Sequence, residues 1–162
     1  MALRLRQPRF AQVNAAGAVR FYSARETALA ALTTLLKSLN GVVVVRNPTD
    51  PLAQPAVQRL VAVFDGVAGD PETVLSPLSY NYTHSAELVV VARTDVDLDG
   101  QFDSLLQAID AKLAANRSLS GAVDYAITGA PQQTDLNGEG ATGIKSARIP
   151  ITLYYNSLTP LT

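Results

Sequence analysis

The run Ser79-Tyr-Asn-Tyr-Thr-His-Ser-Ala-Glu-Leu-Val-Val-Val-Ala-Arg93 constrains the fold more than any other segment. Tyr80, Tyr82 and His84 alternate with Asn81, Thr83 and Ser85, the two-residue period of a strand whose faces meet different surroundings. From Leu88 to Ala92 the alternation gives way to continuous apolar residues. A strand keeps such a run when it is covered on both faces. The segment therefore reads as a central strand.

A second long strand closes the chain. Ala147, Ile149, Ile151, Leu153 and Tyr155 share one face, and Ser146, Arg148, Thr152 and Asn156 the other. Pro150 lies inside it. A proline cannot donate to a ladder, so an edge position or a bulge is expected. Shorter strands are expected at Val42–Val45, at Val57–Phe64 before Asp65-Gly66, at Thr73–Leu75 and over residues 123–128. In the last, Val123, Tyr125 and Ile127 alternate with Asp124 and Thr128.

Two helices separate these strands. Ser23-Ala-Arg-Glu26 is a capping box: the serine oxygen meets an orphan N–H and the glutamate reaches back. Ala28, Leu32, Leu35, Leu36 and Leu39 follow at helical spacing, with Thr33, Thr34, Lys37 and Ser38 largely off the stripe, until Asn40-Gly41 ends the helix. The second helix spans roughly Leu98 to Asn116, with Phe102, Leu105, Leu106, Ile109 and Leu113 as its buried stripe. Residues 129–143, GAPQQTDLNGEGATG, read as a long flexible loop between two strands. Residues 1–22 show no period and read as an extended basic arm, leaving residues 23–162 as a single domain. The expected class is α+β: two main helices packed on a mixed, mostly antiparallel sheet, with an extended N-terminal arm.

Composition closes off several functions. The chain has no cysteine and one histidine, so one subunit has neither a thiol nucleophile nor the ligands of a zinc ribbon. No apolar run reaches the ~18 residues of a membrane span, and MALRLRQPRF lacks the apolar core of a signal peptide. Charge is lopsided: residues 1–60 hold eight basic and two acidic side chains, and residues 61–162 hold five and twelve. Such a split can steer one copy onto the next. It singles out Arg4, Arg6 and Arg9 in the arm, and Asp135 and Glu139 in the glycine-rich loop, as candidates for contacts between subunits or along a lumen.

Two motifs imitate binding loops. Asp95-Val-Asp-Leu-Asp-Gly-Gln-Phe-Asp103 matches the front of a calcium loop: Asp95, Asp97 and Asp99 occupy the first ligand positions, Gly100 the sharp turn and Asp103 the water-bridged position. The closing bidentate glutamate is replaced by Leu106, and a strand precedes the motif where a helix is required. Aspartates at a helix entrance also cap free N–H groups and meet the positive end of the dipole, and this plainer role is the expectation. Gly138-Glu-Gly-Ala-Thr-Gly-Ile-Lys145-Ser146 imitates a phosphate loop. However, Ile144 displaces the lysine, and a strand follows where a helix is needed. Ser118 and Ser120 lack a nucleophile-elbow context. No catalytic set is visible and no cofactor is implied.

The order of pieces from Ser23 onward resembles the tail terminator proteins of long-tailed bacteriophages, the lambda-type minor tail protein that closes the tail tube. The shared pieces are the opening helix and valine strand, the paired strands Leu60–Phe64 and Ala86–Ala92, and the acidic helix entry DLDGQFDSLLQAIDAKL. They continue with DYAITG, the acidic glycine-rich loop and ARIPITLYYNS with its paired tyrosines. Residues 1–22 form a longer N-terminus than the resemblance leads one to expect. The resemblance implies a structural virion protein, made in the host cytoplasm and placed at the head-proximal end of the tail. It would form a homo-oligomer, a hexameric ring, meeting tail tube protein on one face and a head–tail connector or head completion protein on the other. DNA would pass non-specifically through the lumen. Another head–tail connector, a tail-tube subunit, or a small calcium-dependent binding module using Asp95, Asp97, Asp99 and Asp103 are the alternatives.

Overall fold

A computed structural model of the chain describes residues 11–13, 19–53, 56–133 and 143–161. Strands β1 (Ala11–Val13) and β2 (Val19–Phe21) pair antiparallel as a ladder of their own. Then come α1 (Ala24–Lys37), β3 (Val43–Arg46), β4 (Arg59–Val67), β5 (Glu72–Leu75), β6 (Leu78–Arg93), α2 (Leu98–Ala115), β7 (Tyr125–Thr128), β8 (Gln132–Gln133) and β9 (Ile144–Ser157). The main sheet runs β3-β4-β6-β9-β7, with β5 on the flank of β6 and β8 on that of β9. Only β3 and β4 run parallel; every other pairing is antiparallel. The class is α+β, as the patterning anticipated.

Both helices cover one face of the sheet. Leu29, Leu32 and Leu36 of α1 and Phe102, Leu105 and Ile109 of α2 share a core with Val63, Leu88, Val90, Ile149, Ile151 and Leu153. Each such side chain contributes about 1.5–3 kcal/mol by leaving water. The opposite face is half dressed. Leu52 and Val57, from the connection between β3 and β4, pack over Leu60, Ala62, Val89 and Val91. Arg93 fastens that connection by donating to the carbonyls of Val57 (2.9 Å) and Leu52 (3.2 Å). This is why β6 turns apolar on both faces only in its second half. Asn81, Thr83 and Ser85 in the first half stay exposed.

Three local expectations need correction. Glu26 does not reach back to the serine. Ser23 accepts from the Glu26 N–H at 3.0 Å, but the Glu26 carboxylate is taken by Arg46 at 2.7 and 2.8 Å. A charged fork outcompetes a neutral amide for a carboxylate. Thr33 lies on the buried side with Leu29, and its hydroxyl is satisfied by donating to the Leu29 carbonyl at 2.8 Å. Pro150 is in an interior strand, with β6 on one side and β7 and β8 on the other. A bulge accommodates it: between Thr128↔Ile151 and Gln132↔Arg148, three residues face two. The Pro150 carbonyl accepts from Gly129 at 2.8 Å. N and C=O of one strand residue point to the same edge, so the missing donor faces that interrupted rung.

The segment 123–128 also differs from its alternation. Val123 precedes the strand and is buried; within β7, Ala126 points inward while Tyr125 and Ile127 point outward. In the stretch 129–143, Gln132–Gln133 pairs with β9, so the connection is not wholly loop.

Candidate functional site

The most connected polar group in the molecule spans α1, β3, β4, β6 and β9. Arg46, at the end of β3, sends one pair of nitrogens to Glu26 and another to Asp65, at 2.7 and 2.9 Å. Between them the two carboxylates hold the arginine fork, so Arg46 is pushed even further into its charged form, first by Glu26 and then by Asp65. Glu26 is held below its usual range, chiefly by the Arg46 hydrogen bonds. For Asp65, burial opposes ionisation, but hydrogen bonds involving Arg46 and Asn47 outweigh it and the group is also lowered. Asn47 contributes by accepting from the Asp65 N–H at 3.0 Å.

Asp65 and Gly66 form a bulge in β4, where two residues face Ala86 between Phe64↔Glu87 and Val67↔Ser85. Gly66 has φ +63, and a Cβ there would overlap the Ser85 carbonyl. Glycine is therefore required on both counts. The bulge turns the Asp65 carbonyl toward His84, the fully buried histidine of β6. A carbonyl only accepts, so Nε2 of His84 carries the proton. Nδ1 then accepts from the Tyr155 hydroxyl at 3.0 Å. Burial lowers the His84 pKa and raises that of Tyr155 to about 12. The imidazole is a neutral strut between three strands. Its two nitrogens are both occupied and no hydroxyl nucleophile stands beside it except the phenol it holds.

The aspartates at the entrance to α2 are dispersed rather than convergent. Asp97 has φ 49 and caps the helix, accepting from the Gly100 N–H at 3.3 Å. Asp99 pairs with Lys145 at 2.6 Å, and Asp103 accepts from Gln107 at 2.6 Å. Among the described residues, no three carboxylate or imidazole groups come together as metal ligands would. The plainer helix-entry role is the one the geometry gives Asp97. Lys145 is thereby engaged with Asp99, not presented to a phosphate, and β9 continues through Ser146. Ser120 is tied to Asn116, whose amide donates to its hydroxyl at 3.1 Å; an amide cannot serve as its base. Arg4, Arg6, Arg9, Asp135 and Glu139 lie outside the described residues.

What the surface offers is margin and groove. β3 and β7 are the two outer strands of the main path. Val43 is exposed on the first, Tyr125 and Ile127 on the second. Their register partners, Leu60, Tyr154 and Thr152, place them all on the face away from the helices. Tyr125 stacks on Tyr154 with ring centroids 4.3 Å apart, which fixes an aromatic plate at that margin. A groove of about 500 Å³ lies between α1 and the turn after α2, walled by Ala30, Ala31, Thr34, Leu119 and Ala122. Sequence patterning gave no sign of the Arg46 cluster, because its members are 19 and 20 residues apart in the chain. The outward alternation of Tyr125 and Ile127 was the one legible trace of the β7 margin.

No family model matches the chain, and no curated protein matches it.

Proposed function

We propose that this chain is a structural subunit of a bacteriophage tail, a tail terminator that closes into a ring, stops tube polymerisation and offers the head a docking face. The observation that carries the reading is the pair of unlike apolar margins on one sheet, Val43 on β3 and Tyr125 with Ile127 on β7. A ring closes only when one subunit bears two different complementary patches that meet head to tail. Outer strands add unpaired backbone groups to such a joint. The resemblance of the chain from Ser23 onward to tail terminators supplies the biology. Arg4, Arg6 and Arg9 against Asp135 and Glu139 add opposite charges to the same joint.

In this reading six copies surround a channel through which DNA passes without sequence recognition. One rim meets tail tube protein and the other a head–tail connector or head completion protein. The work is shape and mutual fit, with no bond-making chemistry. The dispersal of Asp95, Asp97, Asp99 and Asp103 onto separate partners favours this over a calcium-dependent module.

The test adds purified chain to polymerising tail tube protein. Tubes should stop growing and carry a ring at one end. Tube lengths unchanged at equimolar chain would refute the reading. Lengthened tubes containing the chain would make it a tube subunit instead.

A further inference from the structure

The two ends of β6 differ in chemistry along a strand about 50 Å long. Its far end, with the entrance to α2 and the start of β9, carries Arg59, Arg93, Asp95, Asp97, Asp99 and Lys145. Its near end carries no charge at all. Residues 73–86 and 149–161 contain no Asp, Glu, Lys or Arg. Those residues meet in space: Leu75 faces Leu78 at the tip of the β5–β6 hairpin, and Ser157 pairs with Tyr80. The chain beyond Ser157 is fastened there, because the Tyr82 hydroxyl donates to the Pro160 carbonyl at 2.6 Å. Four leucines project from this end, 81% (Leu75), 51% (Leu78), 75% (Leu158) and 93% (Leu161) exposed.

Scattered exposed leucines need no explanation, but four on one charge-free end are a patch of the kind that marks an interface. Interface centres are also depleted of charge and enriched in tyrosine, and Tyr80 and Tyr82 lie just behind these leucines. The charge pattern identifies the occupant. If copies stacked near end to far end, the leucines would strip water from Asp95, Asp97 and Asp99 without replacing it. Contact between two near ends buries only uncharged groups.

We infer that the uncharged end, tipped by Leu75, Leu78, Leu158 and Leu161, is a contact surface for the same end of a second copy. This contact is distinct from the lateral joint of a ring and does not depend on it. A subunit that is otherwise monomeric becomes a dimer, and a subunit that forms rings becomes a pair of rings face to face.

The test measures native mass over a concentration series for the wild-type chain and for the Leu78→Asp/Leu158→Asp double variant. Both positions are exposed, so folding should be retained, which circular dichroism checks. The wild type should have twice the mass of the variant, and the variant should need more than ~100-fold higher concentration to pair. Equal masses at every concentration would overturn the inference. A second readout uses the absence of cysteine. A bismaleimide should link Leu158→Cys copies but not copies of Val96→Cys, an exposed position at the charged end. Equal linking of both would overturn it. Wild type that pellets with neutral phosphatidylcholine vesicles and does not double in mass would assign the end to a lipid surface, again overturning it. The mass of the variant alone decides the ring: a single copy counts against lateral closure, whatever happens to the doubling.

Discussion

The hydroxyl of Tyr155 donates to Nδ1 of His84 across 3.0 Å in the interior of the sheet. That bond fixes the imidazole as neutral and makes the fold sensitive to pH from both sides. Burial lowers the His84 pKa below its ordinary 6.5, against the hydrogen bond to the Asp65 carbonyl, which favours the charged form. The unfolded chain therefore takes up a proton near pH 6.5 that the folded chain refuses. Stability from this group is complete above that pH and falls as pH drops, by up to ~2 kcal/mol at pH 5. Below about pH 4.5 the lowered Glu26 and Asp65 add their own loss. Tyr155 works in the opposite sense. Its contribution is complete below pH 10 and is lost as pH rises toward about 12. Urea unfolding between pH 7 and 5 should show the acid loss in the wild type and a flatter profile in His84→Gln. An identical slope in both would separate the loss from this residue.

The bulge that aims the Asp65 carbonyl rests on Gly66. Gly66→Ala meets both a left-handed backbone and the Ser85 carbonyl, so it should cost more than ~2 kcal/mol. Gly41 has a similar φ of +68 but open space around it. Gly41→Ala should cost only about 1 kcal/mol. Denaturation midpoints of the two variants give the comparison, and equal losses would remove the special role of the Ser85 contact.

Arg46→Met leaves Glu26 and Asp65 facing each other without their cation. Both are partly exposed, so water softens the loss. We expect about 1–2 kcal/mol in chemical unfolding. Arg46→Lys should recover only part of it, since an ammonium cannot serve two carboxylates as a planar fork does.

Asp97→Ala removes the α2 cap and should lower stability by about 1 kcal/mol. Calorimetric titration of the wild type with calcium should give no saturable micromolar heat. A clear isotherm, lost in Asp97→Ala, would instead restore the calcium module.

Much of this architecture is written locally. Ser23 caps α1 as its spacing indicates. The change of pattern in β6 reports one-sided and then two-sided cover, and the Ile149–Tyr155 alternation reports the helix-side face of β9. Nonlocal competition hid the rest. Nothing near Glu26 announces that Arg46 will claim its carboxylate, and nothing near Pro150 announces an interrupted rung on the neighbouring strand. Thr33 looked like a surface residue because its bond to the Leu29 carbonyl, which permits burial, is invisible to a polarity pattern. The candidate margins were still less legible, since they depend on which strands finish outermost.

The central claim is that this chain is an assembly part of a virus tail. Deleting its coding sequence from the genome that carries it, and imaging the resulting particles by electron microscopy, tests that most directly. The account predicts tubes of uncontrolled length and heads left unjoined, with infectivity restored when the chain is supplied in trans. Particles with tails of normal length, joined to heads and fully infectious, would contradict it.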